Sequence, residues 1–225
     1  MYKLFTKRYA NRELFEEALE NSLEAYRVSL EAQYLRVPKV MNYDECNLEI
    51  SFEYMDNWTQ LTFLIRDYGF LRLPAAEVES IFFRVGSALL EYHESTGKIH
   101  RDFDSTNVMF KRGEQKICII DFSRPDFADY PGYNRGSIYW DLALMVIHLR
   151  IKYPPNKLHC LIRPVNRSIS RAFLRGYFSL SKLPYNHTEF LEQYNDCLRL
   201  EYIRKTFVVR FLLWTPIFDV RDLKL

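Results

Sequence analysis

The sequence predicts an α+β domain in which a small strand-bearing N-terminal part precedes a mainly helical remainder. Three observations lead there. Apolar residues recur at helical intervals over residues 11–35 and again from Pro74 to Gly97. Short apolar runs bounded by turn residues, at 37–41 and 48–55, lie between those helices, and a second pair flanks a Gly-containing turn at 111–116. After Gly136 the chain reads as helical and aromatic.

Composition bounds the function. With 225 residues, 48% of them hydrophobic and 16% aromatic, the chain can bury a sizeable core and is not of the disordered class. A net charge of +2 is too mild to point to nucleic acid. Cys46, Cys118, Cys160 and Cys197 show no C-x-x-C pairing and no metal spacing, so they read as reduced thiols of a cytoplasmic chain. Met1 to Ala10 is polar and charged, and no signal peptide is expected there. The longest apolar run, Phe207 to Phe218, is broken by Arg210 and Pro216, is too short to span a bilayer, and reads as a buried helix end.

Taken in order, Tyr2 to Phe5 is a short strand-like start followed by a basic stretch to Arg12. Asn11 can cap the first helix, along which Leu14, Ala18, Leu19, Leu23, Tyr26 and Leu30 fall at helical spacing with glutamates between. Residues 37–41 and 48–55 form two strands across a turn at 43–47, and Trp58 to Leu73 reads as a short helix and loop. Pro74 opens a second long helix with Val78, Ile81, Phe82, Val85, Leu89 and Tyr92 on one face and Glu77 and Glu79 near its positive end, stopped near Gly97. Gly136 leads an apolar helix through His148. Ser170 to Leu180 and Thr188 to Trp214 are helices with Arg171, Arg175, Arg199, Arg204, Lys205 and Arg210 among their apolar residues. Core packing explains their aromatics, and a basic, aromatic membrane-facing surface is the alternative.

The stretch at 98–123 carries the chemistry. His100-Arg101-Asp102 is followed five residues later by Asn107, then by the triplet 108–110, the turn, the run 117–120, and Asp121-Phe122-Ser123. A tight hairpin from Val108 to Ile120 returns the chain so that Asp121 arrives beside Asn107. These residues resemble the catalytic and metal loops of the protein-kinase-like superfamily, H-R-D-x-x-x-x-N followed by D-F-G. Only twenty residue steps separate Asp121 from Asp141, and no A-P-E closes an activation segment. That compact route, with Arg101 and Phe103 around Asp102, is more similar to an atypical bacterial branch, the lipopolysaccharide core kinases and aminoglycoside phosphotransferases. The likeness covers about residues 1–180. It is specific at 98–123 and at Asp141, fair at 48–56 and weak before 40.

The resemblance implies a two-lobed kinase-like domain, with a reduced N-terminal lobe at 1–56 and a helical C-terminal lobe at 57–225. It implies an ATP- and Mg²⁺-dependent phosphotransferase acting on a hydroxyl of a sugar, a lipid-linked sugar or another small acceptor. Asp102 would orient the acceptor, and Asn107 and Asp121 would hold Mg²⁺, which prefers hard oxygen ligands. Lys3 would steady the ATP phosphates, paired with Glu24 (or with Glu20 one turn earlier), and the hinge backbone at Glu53 to Met55 would meet the adenine. His100 would brace the loop, Asp104 and Ser105 would lie at its surface, and Asp141 would accept backbone N–H bonds beneath it. Lys111, Arg124 and Arg135 would add positive charge near the cleft mouth. Two departures stand out: no G-x-G-x-x-G occurs, and Ser123 replaces the glycine of D-F-G. They keep open a serine/threonine protein kinase, a pseudokinase or regulatory binding module, and a fragment lacking its first strands. A cytoplasmic site is expected, at the inner face of the membrane if the basic helices dock there. No nucleic-acid partner is expected.

Overall fold

The computed structural model describes residues 3–66, 73–123, 137–151 and 159–204. Seven strands and six helices lie there: β1 (Leu4–Arg8), α1 (Arg12–Glu31), β2 (Leu35–Arg36), β3 (Val40–Asp44), β4 (Glu49–Glu53), β5 (Thr59–Gln60), α2 (Leu61–Arg66), α3 (Ala75–Thr96), β6 (Val108–Phe110), β7 (Ile117–Ile119), α4 (Ile138–Ile151), α5 (His159–Phe178) and α6 (His187–Arg204). The α+β class is as the sequence predicts.

The N-terminal sheet has the order β1-β4-β3, antiparallel throughout, with β1 at its edge. The second sheet, β2-β7-β6-β5, pairs β2 in parallel with β7 and the β6–β7 hairpin antiparallel, so the chain before residue 56 contributes a strand to the later sheet.

Helix α1 starts where expected: Asn11 is its N-cap, and the Asn11 side-chain oxygen accepts the Leu14 N–H at 2.9 Å. Its buried stripe is Phe15, Ala18, Ser22, Ala25 and Ser29, not the leucine stripe the spacing suggested, and Leu30 is exposed. Small residues let α1 sit close to the sheet on one side and the main core on the other; the glutamates that flank the stripe thereby reach the loops described below. Glu91 of α3 fixes the exit of α1. Its carboxylate accepts the N–H groups of Gln33, Tyr34 and Leu35 at 2.8–2.9 Å.

The main core is built on α3, α4 and α5. Every residue of the apolar face read for α3 is buried, and Gly97 ends the helix in the left-handed conformation (φ 66°), its N–H donating to the His93 carbonyl. Helices α3 and α5 approach through two glycines. A Cβ on Gly86 would lie 2.0 Å from the Phe173 carbonyl oxygen, and one on Gly176 would lie 1.9 Å from that of Phe83. The strands begin and end within a few residues of their expected places, but β3 runs on to Asp44. Among the described residues no helix is long and apolar enough to cross a membrane. The run at 207–218 lies outside the described residues.

Candidate active site

The loop after Gly97 is held from below by one side chain. Asp141, in the first turn of α4 and fully buried, accepts the His100 N–H at 2.6 Å and the Arg101 N–H at 2.8 Å. Its Oδ2 also lies 2.9 Å from His93 Nε2, whose other ring nitrogen is 2.8 Å from the Tyr177 hydroxyl. Because a carboxylate only accepts, His93 donates from Nε2 to Asp141. The Trp140 indole N–H donates to the Arg101 carbonyl at 3.1 Å. Arg101 has φ 71°, a conformation few non-glycine residues adopt, and these three backbone contacts keep it there.

Aromatic packing fixes the rest of the loop. Phe103 is fully buried and stacks on Phe173 of α5 at 6.3 Å. His100 packs edge-on against Phe103 and at a tilt against Phe122, and its Nε2 lies 3.1 Å from the Ile120 carbonyl. Burial holds the His100 imidazole below its usual pKa, against the opposing pull of Asp141. Its role is therefore bracing, as expected. Asp104 and Ser105 differ from expectation: both are buried. Asp104 turns inward because its carboxylate caps the Thr106 N–H at 2.5 Å and reaches His148 Nδ1 at 3.1 Å, while the Ser105 carbonyl accepts the Thr62 N–H.

Three polar positions read from the sequence converge. The Asn107 amide donates to both the carbonyl and the carboxylate of Asp102, each at 2.9 Å, which turns the Asn107 side-chain oxygen away from Asp102. The Asn107 carbonyl accepts the Ile120 N–H at 3.0 Å, so the β6–β7 hairpin delivers Asp121 next to Asn107. Both residues line a cavity of about 730 Å³ that extends past Met109 and Ile120 to Val37, Phe52, Glu53, Tyr54 and Met55. Asp121 has φ 63°, so the left-handed position in this loop belongs to the aspartate and not to Ser123.

The lysine in the cavity is Lys7. Its Nζ lies 2.6 Å from Asp121 Oδ1 and 3.0 Å from Ser123 Oγ. Burial alone would raise the Asp121 pKa; the Lys7 ammonium and the hydrogen bonds from Lys7 and Ser123 outweigh it and hold the carboxyl below the usual range. Lys3, the lysine expected here, precedes β1. It is exposed, 3.9 Å from Asp56, and does not meet Glu24. Register explains the difference: pairing of β1 with β4 sets Lys7 opposite the buried Ile50 and turns it into the cavity. Glu24 instead bridges to Lys98 at 2.6 Å, with Glu20 at 3.8 Å from the same ammonium. Glu53 and Met55 line the cavity, with the Glu53 carboxylate engaged by Arg36 at 2.8 Å. Lys111 pairs with Glu114 on the hairpin turn. Arg124 and Arg135 lie outside the described residues.

Besides Lys7, the sequence reading missed the polar face of α1. Glu17 holds the Arg101 guanidinium at 2.9 Å, and Asn21 accepts from Lys98 at 3.0 Å while donating to the Phe122 carbonyl at 3.3 Å. Neither Lys7 nor the α1 contacts have a local signature, because both depend on segments far apart in sequence.

No protein-family model matches the sequence, and no curated protein matches it. Solved structures do match. WaaP in complex with acyl carrier protein superposes with a TM-score of 0.53 at 14% identity, covering 94% of this chain and 80% of that one. A point mutant of the Mycobacterium tuberculosis PknI kinase domain also gives 0.53, at 23% identity, covering 86% and 84%. A choline/ethanolamine kinase family protein from Mesorhizobium loti gives 0.53 at 13% identity, covering 97% and 77%. The chain has the protein-kinase-like fold.

Proposed function

We propose that the chain is an ATP- and Mg²⁺-dependent phosphotransferase with a hydroxyl acceptor. The observation that carries this is the convergence of Asn107, Asp121 and Lys7 on one cavity whose other end is apolar, with Asp102 hydrogen-bonded to Asn107. The donor set suits magnesium: the Asn107 side-chain oxygen and the Asp121 carboxylate are hard oxygens, and a site built from two protein oxygens leaves room for phosphates and waters. Bound there, the ion would neutralise charge between the phosphates. Lys7 would hold phosphate oxygens, and the hinge backbone near Met55 would meet the adenine, with Val37, Phe52 and Met109 enclosing it. Asp102, oriented by Asn107, would position the acceptor hydroxyl and receive its proton. The oxygen–phosphorus bond to the acceptor forms as the bond to the departing diphosphate breaks.

The division near residue 56 would set the cleft between the strand-bearing N-terminal part and the helical remainder. The acceptor would be a sugar, a lipid-linked sugar or another small molecule, since the twenty steps from Asp121 to Asp141 leave little chain for a peptide-binding segment. The choline/ethanolamine kinase name among the fold relatives is in keeping with a small acceptor. A protein acceptor is the second reading, kept open by the His100-Arg101-Asp102 triplet that serine/threonine protein kinases share. Such an enzyme would work where ATP is abundant, in the cytoplasm.

Asp102→Ala tests the assignment. Transfer to an acceptor should fall by about three orders of magnitude or more, as for loss of a group that acts in the transition state, while Mg-ATP affinity stays near that of the parent. Full activity in that variant would refute the role of Asp102. ATP binding by the parent without transfer to any acceptor tried would favour a pseudokinase.

A further inference from the structure

The strand lysine has no carboxylate from α1. Helix α1 turns Ser22 into the cavity. Of its acids, Glu17 pairs with Arg101, and Glu20 and Glu24 with Lys98. Among the described residues, the hydrogen-bond partners of the Lys7 ammonium are Asp121 and Ser123. The Ser123 hydroxyl accepts from Lys7 at 3.0 Å and donates to Asp121 Oδ1 at 2.5 Å, so one hydroxyl bridges the cation and the carboxylate in the only sense that satisfies both. The serine costs the backbone nothing here, because the positive φ belongs to Asp121.

We propose that Ser123 is a positioning residue for the nucleotide site: its hydroxyl takes the place of a helix carboxylate in holding Lys7 beside Asp121. The proposal rests on the phosphotransferase reading above. When a cation occupies Asp121, the ammonium must turn from that carboxylate toward phosphate oxygens, and the Ser123 hydroxyl is the contact that keeps it at the cavity wall meanwhile. Charge-assisted hydrogen bonds of this kind are the stronger ones, so their loss is measurable.

The test is calorimetric titration of the full chain with Mg-ATP, using Ser123→Gly, Ser123→Thr, Lys7→Met, Asp121→Ala and the Ser123→Gly/Lys7→Met double variant. Ser123→Gly is expected to bind about tenfold more weakly, with an unchanged thermal midpoint, and Ser123→Thr to restore binding. The glycine change should add no further loss once Lys7 is replaced, since coupled residues do not act additively. A merely structural serine would show additive losses instead. Parental or tighter binding by Ser123→Gly, or additivity with Lys7→Met, overturns the proposal. If Lys7→Met and Asp121→Ala lose binding while Ser123→Gly does not, the inference alone fails. If all variants bind like the parent, the nucleotide-site reading fails with it.

Discussion

Replacing Asp141 by asparagine should destabilise the whole domain, not only the loop above it. The carboxylate is fully buried and is contacted by three donors: the N–H groups of His100 and Arg101 and the ring of His93. Asparagine can keep its oxygen at the Oδ2 position, where two of those contacts converge, but its NH₂ group then faces the Arg101 N–H. One buried donor is left unsatisfied, at about 1–3 kcal/mol, and the two remaining bonds lose the advantage of an ionised acceptor. The sum is about 2–4 kcal/mol, a large fraction of the roughly 5–15 kcal/mol that holds a domain folded. Urea unfolding should show a midpoint about 1 M lower with little change in slope, taking a slope of about 2–3 kcal/mol/M. Arg101, no longer held at its φ of 71°, should also relax and carry Asp102 away from Asn107. A midpoint equal to that of the parent would refute the claim that Asp141 carries these bonds.

Gly86→Ala should cost about 3 kcal/mol or more, because the new Cβ would fall 2.0 Å from the Phe173 carbonyl and force α3 and α5 apart; urea unfolding reads this directly, and a neutral effect would mean the helices are not in that contact. Stability should also fall on mild acidification. The folded pKa of His100 is depressed below 6.5, so as pH drops below about 6.5 the unfolded chain binds a proton that the folded chain resists, and folding weakens until the folded pKa is reached. Asp121, also depressed in the folded state, adds a loss at lower pH, below about 3.8, in the same direction. His100→Leu should flatten the pH dependence just below the ordinary imidazole range, and an unchanged slope would place the titrating group elsewhere.

Much of this was legible in the chain itself. The loops at 98–107 and 121–123 could be picked out because their polar residues sit at the short spacings of the kinase-like motifs they resemble, and the hairpin between them could be read from two apolar runs about a turn. Asp141 could be placed because, opening an apolar helix after the loop, it resembles the buried aspartate that accepts backbone N–H bonds in kinase-like proteins. Lys7 could not, because the choice between Lys3 and Lys7 depends on strand register, which is set by pairing with β4, far along the sequence. The face of α1 was misread for a related reason. Leucines suggested the buried side, but close approach to two neighbours at once selects Ala18, Ser22, Ala25 and Ser29. The inward turn of Asp104 depends on His148, in a helix far along the chain, and nothing local to the loop announces it.

The most direct measurement is ATP binding by calorimetry with and without Mg²⁺, on the parent chain and on Asp121→Ala. Binding that requires both Mg²⁺ and Asp121 is the predicted result, with the variant at least about tenfold weaker, in line with loss of a metal-holding carboxylate. ATP affinity that is the same with and without Mg²⁺, or unchanged by Asp121→Ala, would contradict the assignment of Asn107 and Asp121 to a metal-dependent nucleotide site.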